Sequence, residues 1–418
     1  MRDLLFLCHR LPFPPNKGEK IRAYHALQYL RRHFRVHLGS FLDYDEDVGD
    51  ARQLAAECAS SCFVRMPPHW ARLSGLSALL RDEALSLPYF RHATLQRWVN
   101  KTLAERRITT CLAYSGPMAQ YLPSSTQHGP LWRVLDLVDV DSEKWHGYAD
   151  DKPWPISGLY RREGRLLLEF ERKAAAEFDR VLLVSPAEAD LFKRRAPESA
   201  TKVDYYSNGV DSSYFAPLPA HPSPFGGAPA IVFTGAMDYE PNIEAASWFA
   251  QRVMQQLRTQ HADLEFHIVG SRPTAAVRDL RHLPGIKVTG TVPDVRPYLQ
   301  HAALVVAPLR VARGVQNKVL EAMAMCKTVI ASPQALQGID ATHGTEVLCA
   351  DGGAEFISVI CRQLHAPDAG IGVAARRRIL TDYVWGRNLQ RLGRVLGIGS
   401  STPVPVPEIH RTSMERTS

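Results

Sequence analysis

Short apolar runs separated by helix-compatible stretches recur along most of this chain, and that alternation limits its fold more than any single motif. In the first half the runs fall at 2–8, 35–41, 62–66, 109–114, 132–137, 180–185 and 202–206. In the second they fall at 230–234, 264–269, 286–289, 303–307, 328–331 and 346–349. Each has strand length, and a strand followed by a helix-length crossover returns parallel to its predecessor. Ile243, Ala246, Ala250, Val253 and Leu257 give the first helix of the second series a 3.6-residue period. The predicted fold class is therefore α/β, with two Rossmann-like, doubly wound parallel-sheet domains facing a cleft. The expected limits are 1–205 for the first domain, 206–229 for a Pro-rich hinge and linker, 230–370 for the second domain and 371–397 for closing helices. The Ser, Thr and Pro-rich tail, 398–418, lacks core residues and is expected to be disordered.

Composition excludes several classes. At 418 residues, with 45% hydrophobic and 22% charged residues, the chain has material for two ordinary cores. No leader-like segment and no apolar stretch of membrane-spanning length is present, so a cytoplasmic protein is expected. The net charge of +7 is spread along the chain, which argues against nucleic acid as the main partner. The seven cysteines are scattered, with no histidine pair at ligand spacing, so reduced thiols, no metal and no cofactor are expected. Residues 43–59 read as a solvated acidic helix or loop. Residues 69–90 have amphipathic composition, suited either to the surface of an anionic membrane or to packing on their own domain.

The densest chemistry lies at 307–332, APLRVARGVQNKVLEAMAMCKTVIAS. The order is strand, loop and helix, with Pro308 and Gly314 marking the turn and 315–325 predicted helical. Val319, Leu320 and Met323 form one face, while Gly314, Asn317, Lys318 and Glu321 form the other. A glycine before a helix start suits a phosphate, Lys318 adds a point charge, and Glu321 can accept hydrogen bonds from sugar hydroxyls. In a parallel sheet such a helix start sits at the carboxyl edge, where ligands bind.

Two stretches of the first half carry related signals. His9 to Arg22 is a proline-rich loop leading into a helix, with Asn16, Lys17, Gly18, Lys20 and Arg22 near its start, again suited to an anion. At 136–146, a strand end delivers Asp136, Asp139, Asp141, Ser142, Trp145 and His146 together. Read as a cleft wall, this segment offers Asp139 or Asp141 to bond or deprotonate an acceptor hydroxyl and Trp145 as a platform for a sugar face. Capping and structural roles are the alternative. In the second half, the backbone at Gly235-Ala236-Met237-Asp238 is expected to meet phosphate oxygens, and Gly270 and Gly290 to shape a base pocket.

These segments together resemble the retaining glycosyltransferases of family 4, which have the GT-B fold. The donor stretch is similar to the family's Pro-Leu-Arg turn followed by a lysine and a Glu-Ala-Met-Ala helix. The opening loop, the Asp-x-x-Asp-x-Asp-Ser-x-Lys-Trp segment and the Gly-Ala-Met segment look like the sugar transferases of exosortase-linked exopolysaccharide systems. The resemblance covers most of residues 1–395. It implies that Arg310 and Lys318 hold a nucleotide diphosphate, that Glu321 binds ribose, and that the Gly18 loop faces the donor. It also implies that Asn208, Gly209 and Asp211 lie at the interdomain junction and that the last helix crosses back onto the first domain. The implied partners are a nucleotide sugar and a lipid-linked or oligosaccharide acceptor, without a metal, on the inner face of the cytoplasmic membrane. Three departures stand out: Arg313 replaces a usual glutamate, Cys326-Lys327-Thr328 replaces Gly-x-Pro, and the loop 114–117 lacks a histidine found in many members. A sugar-nucleotide epimerase of the same fold and a binding-only paralogue are the rival readings.

Overall fold

The computed structural model describes residues 1–15, 18–42, 47–66, 78, 81–123, 131–150, 152–218 and 221–399. Asn16, Lys17, half of 69–90 and nearly all of the tail 398–418 lie outside them, so the expectations placed on those residues do too. Among the described residues two sheets form. The first is built from β1 (Arg2–Cys8), β2 (Phe34–Leu42), β3 (Ser60–Arg65), β4 (Thr110–Tyr114), β5 (Trp132–Val138), β6 (Arg180–Leu183) and β7 (Val203–Tyr205), and the second from β8 (Ala230–Thr234), β9 (Glu265–Val269), β10 (Ile286–Gly290), β11 (Leu304–Ala307), β12 (Val329–Ala331) and β13 (Leu348–Cys349). Their spatial orders are β3-β2-β1-β4-β5-β6-β7 and β10-β9-β8-β11-β12-β13. All neighbouring strands pair in parallel. This is the doubly wound α/β architecture expected from the alternation of apolar runs.

The strands nearest the cleft are β1 (Arg2–Cys8), β4 (Thr110–Tyr114) and β5 (Trp132–Val138) in the first sheet. In the second they are β8 (Ala230–Thr234) and β11 (Leu304–Ala307). Their residues are almost all buried, as in central parallel strands covered by helices on both faces. Sequence order reverses between β1 and β4 and between β8 and β11, which places a switch point at the carboxyl edge of each sheet. Helices bearing on the cleft are α1 (Gly18–Leu30), α2 (Asp141–Asp150), α3 (Ile156–Glu177), α4 (Asn317–Ala324), α5 (Ala369–Asp382) and α6 (Trp385–Val395).

The second domain has one continuous core. The first has a core on each face of its sheet, and one of these includes Leu389, Leu392 and Leu396 from the end of the chain, packed with Leu4, Phe6 and Leu27. Helix α6 therefore rests on the N-terminal domain, and Trp132 Nε1 donates to the Val395 carbonyl at 3.0 Å. Gly209 makes room for the crossing, since a Cβ there would lie 2.6 Å from Trp385 N. The helix predicted from Ile243 to Leu257 is interrupted by a π-helical segment, Phe249–Met254, whose extra residue per turn the apolar period does not reveal.

Candidate active site

The C-terminal wall follows from β11 and α4. Gly314 holds φ +65, so the chain turns there and the helix begins at Asn317, two residues later than its apolar pattern suggests. Val319, Leu320, Ala322 and Met323 anchor one side of α4 in the core, and among the described residues no side chain caps its start. The Val319 N–H turns back to the Gln316 carbonyl at 2.9 Å, and the positive end of the helix dipole lies at this start. Lys318 Nζ sits 2.5 Å from Asn242 Oδ1 and 4.5 Å from the centre of the Phe233 ring. Asn242 is itself fixed by donating to the Ala236 carbonyl at 2.9 Å.

Burial pushes Lys318 down to about 7, against the pull of Glu321. Burial likewise pushes Glu321 up to about 7, against the pull of Lys318. Near neutral pH each group is therefore close to half-protonated, and an arriving anion raises the proton affinity of the lysine. The structure thus brings Lys318, Glu321, Asn317 and the uncapped helix start together.

Other donor-side expectations are relocated. The Gly235 N–H donates to the Val269 carbonyl at 3.1 Å and the Met237 N–H to the Ser271 carbonyl at 2.8 Å, so neither is available to a phosphate. Met237 is a core residue. Gly235 instead permits close packing: a Cβ there would lie 2.7 Å from Asn242 Nδ2 and 3.2 Å from Lys318 Nζ. Gly270 touches Gly235, since its Cβ would fall 1.6 Å from the Gly235 carbonyl oxygen. Arg310 is exposed and pairs with Glu244 at 2.9 Å.

The N-terminal wall is organised differently. Asp139 follows Val138, a non-glycine residue at φ 71, so a strained backbone aims this loop at the cleft. Lys144 Nζ lies 2.9 Å from Asp139 Oδ2 and 2.8 Å from Asp141 Oδ1. Although burial opposes it, these carboxylates hold the Lys144 ammonium well above its usual range. Across the seam, a Cβ on Gly314 would stand 2.1 Å from Asp139 Oδ1, so the two domains touch and only glycine fits. Asp139 and Asp141 are therefore ion-paired groups in this structure, not free bases.

Trp145, expected as a sugar platform, sits edge-on to Tyr160 and Tyr148 and packs against a small cluster with Leu87, Leu166 and Leu167. Arg22, expected on the cleft, is fully buried: its guanidinium grips Asp136 and lies over the Tyr206 ring, out of reach of an acceptor. Asp211 is exposed and closes a turn, accepting from the N–H groups of Ser213 and Tyr214. Asn208 does bridge the domains, donating through Nδ2 to Asn317 Oδ1 at 3.0 Å. Gly18 opens α1 opposite α4, and a Cβ there would lie 3.8 Å from Asn317 Nδ2.

Several residues escaped the sequence reading. Arg313, noted only as a departure, reaches across the seam to Glu188 at 3.7 Å and Glu143 at 3.9 Å. Burial, with Asp139 nearby, pushes Glu188 up to about 7, partly offset by the Val140 N–H and by Arg313. His9 follows β1 at the first switch point and stacks on Tyr114 at 5.8 Å, and the next residue, Ser115, holds φ 76. Its position directly after a central strand was the available signal. Asn242 gave the weaker signal of an amide in the first turn of a core-facing helix.

Residues 228–366 match the family model described as glycosyl transferases group 1. The C-terminal domain is thus similar to group 1 glycosyltransferase domains, over about a third of the chain. The chain is accordingly a transferase enzyme, and the Lys318–Glu321 wall belongs to the matched part. Similar solved structures extend over both domains. Sucrose-phosphate synthase from Thermosynechococcus elongatus superposes with a TM-score of 0.69 at 14% identity, covering 94% of this chain and 98% of that one. HepE of Anabaena, solved with UDP-glucose, gives 0.67 at 15% identity, covering 95% and 100%. WaaG, a glycosyltransferase involved in lipopolysaccharide biosynthesis, gives 0.64 at 16% identity, covering 94% and 100%. These likenesses show the GT-B fold. No curated protein sequence matches the chain. Among the described residues, no helix is long and apolar enough to cross a membrane.

Proposed function

We propose that the enzyme transfers a sugar from a nucleotide diphosphate sugar to a cell-surface or exopolysaccharide precursor, with retention at the anomeric carbon. The observation that carries this reading is the Lys318–Glu321 pair, desolvated and set on an uncapped helix start opposite the Gly18 start of α1. The departing diphosphate develops charge as the glycosidic bond to it breaks. Lys318 and the α4 start meet that charge with groups already in place, so the reading calls for no divalent ion. Glu321, one turn deeper, accepts from the ribose hydroxyls. Arg310 joins by exchanging Glu244 for a phosphate, a small cost because exposed pairs contribute only about 0–1 kcal/mol.

Support for a nucleotide-sugar donor comes from HepE, solved with UDP-glucose, and from the group 1 match over the domain that bears Lys318. Retention, family 4 membership, the exosortase-linked subgroup and a lipid-linked acceptor rest on the sequence resemblance, and contact with an anionic membrane on the amphipathic composition of residues 69–90. The test is calorimetric titration with UDP, GDP, ADP and CDP. One of them should bind in the micromolar range, and Glu321→Gln should weaken that nucleotide more than it weakens pyrophosphate. Absence of binding by all four would remove the reading, and equal weakening of both ligands would remove the ribose role of Glu321.

A further inference from the structure

A line of hydrogen bonds joins the core of the first domain to the start of α4. Asp136, fully buried at the end of β5, accepts from Arg22 Nε and Nη2, each at 3.1 Å, from Tyr206 Oη at 2.6 Å and from the Val138 N–H at 3.1 Å. Such a bidentate pair fixes the guanidinium plane. The remaining nitrogen, Nη1, donates to the Tyr206 carbonyl at 2.9 Å and to Asn208 Oδ1 at 3.1 Å. With its oxygen taken by a cation, the Asn208 amide has one orientation, and its Nδ2 donates to Asn317 Oδ1. The Asn208 carbonyl accepts from Asn388 Nδ2 of α6 at 3.0 Å, so the backbone is held as well. The same logic then fixes Asn317: with Oδ1 accepting, Nδ2 must point the other way. That atom is buried, has no hydrogen-bond partner among the described residues and faces Gly18.

We propose that Arg22 and Asn208 are positioning residues that orient the Asn317 amide as a hydrogen-bond donor to an anionic oxygen held between the starts of α1 and α4. The inference rests on the nucleotide diphosphate reading of the site and adds to it a control exerted from the opposite domain. Arg22 never touches the ligand. Its charge, fixed by Asp136, determines through two amides which atom of Asn317 the donor meets. The arrangement also makes the site a property of both domains, because separating them breaks the Asn208–Asn317 bond and frees the Asn317 amide to rotate.

The probes are inorganic pyrophosphate and the four nucleoside diphosphates, titrated into the full chain. Asn317→Ala should weaken binding about tenfold, the scale of one hydrogen bond to a charged group. Asn208→Ala should weaken it several-fold, and Asn208→Asp, which keeps an acceptor for Arg22, should not restore it. The decisive comparison is the Asn208→Ala/Asn317→Ala double variant, which should bind no more weakly than Asn317→Ala alone. Thermal unfolding of each variant without ligand checks that the fold is kept. Wild-type affinity in Asn208→Ala, rescue by Asn208→Asp, or additive losses in the double variant would each overturn the relay while leaving the proposed function standing. A wild-type chain that binds none of the probes would overturn both.

Discussion

The two walls of the cleft are built from the same element, a loop at the carboxyl edge of a parallel sheet, yet they treat charge in opposite ways. On the N-terminal wall, Asp139 and Asp141 share Lys144, while Arg313 crosses the seam to Glu143 and Glu188. On the C-terminal wall, Lys318 meets a neutral amide and a ring face, and burial draws both it and Glu321 toward neutrality. A network whose charges satisfy one another holds a structure together. A desolvated charge whose charged neighbour is itself drawn toward neutrality costs stability, and it recovers that cost when a ligand of opposite sign arrives.

The contrast can be broken most directly by substitution on each side. Lys318→Ala should lower nucleoside diphosphate affinity by about 2 kcal/mol or more, roughly thirtyfold, because it removes a charge-assisted contact. Asp141→Asn, which removes a partly exposed partner of Lys144, should change the same affinity by less than about 0.5 kcal/mol. Comparable losses in calorimetric titration would erase the distinction between the walls.

Stability against pH sharpens the comparison from the N-terminal side. Glu171 of α3 is buried, and it accepts from Ser142 Oγ at 2.7 Å and from the Ser142 N–H at 3.2 Å at the start of α2. Burial pushes it up to about 8, the Ser142 hydroxyl opposing and Asp141 adding to the rise. Between the ordinary carboxylate range and about 8 the folded state holds a proton that the unfolded state has lost. Stability should therefore fall as pH rises through that window. Chemical denaturation at several pH values should show Glu171→Gln removing most of that slope. An unchanged slope would mean that Glu171 ionises freely in the fold.

A further effect belongs to the C-terminal wall. A lysine drawn down to about 7 is mostly neutral at pH 8, and an arriving diphosphate restores its proton. Nucleoside diphosphate binding should take up a proton at pH 8, and affinity should fall as pH rises above 7, at most about tenfold per unit. Titration in buffers of different ionisation enthalpy reads the uptake. Proton release, or none, would show that Lys318 is already charged in the free enzyme.

Legibility followed continuity in sequence. Lys318 and Glu321 lie three residues apart on one helix, so their common face could be read from the helical period, and the structure brings them together at the cleft. Arg22 could not be read that way. Its partners Asp136, Tyr206 and Asn208 stand more than a hundred residues away, and only the packed fold shows that a basic residue near a helix start is buried rather than presented. Trp145 was legible as an aromatic beside carboxylates, whereas its edge-on contacts with Tyr148 and Tyr160 emerged only from the fold. Gly235 and Met237 lie at the expected strand end, yet their N–H groups are taken by Val269 and Ser271, which sequence spacing does not encode.

The sequence by itself determined the alternating strands, the two parallel sheets and the charged face of α4, because each rests on local period and on a crossover geometry with few alternatives. The tertiary structure alone decided which charges are paired across the seam, which amides have a fixed orientation and which N–H groups remain for a ligand. Those outcomes depend on distances between residues far apart in the chain, and hydrogen bonds and ion pairs act only over a few ångströms.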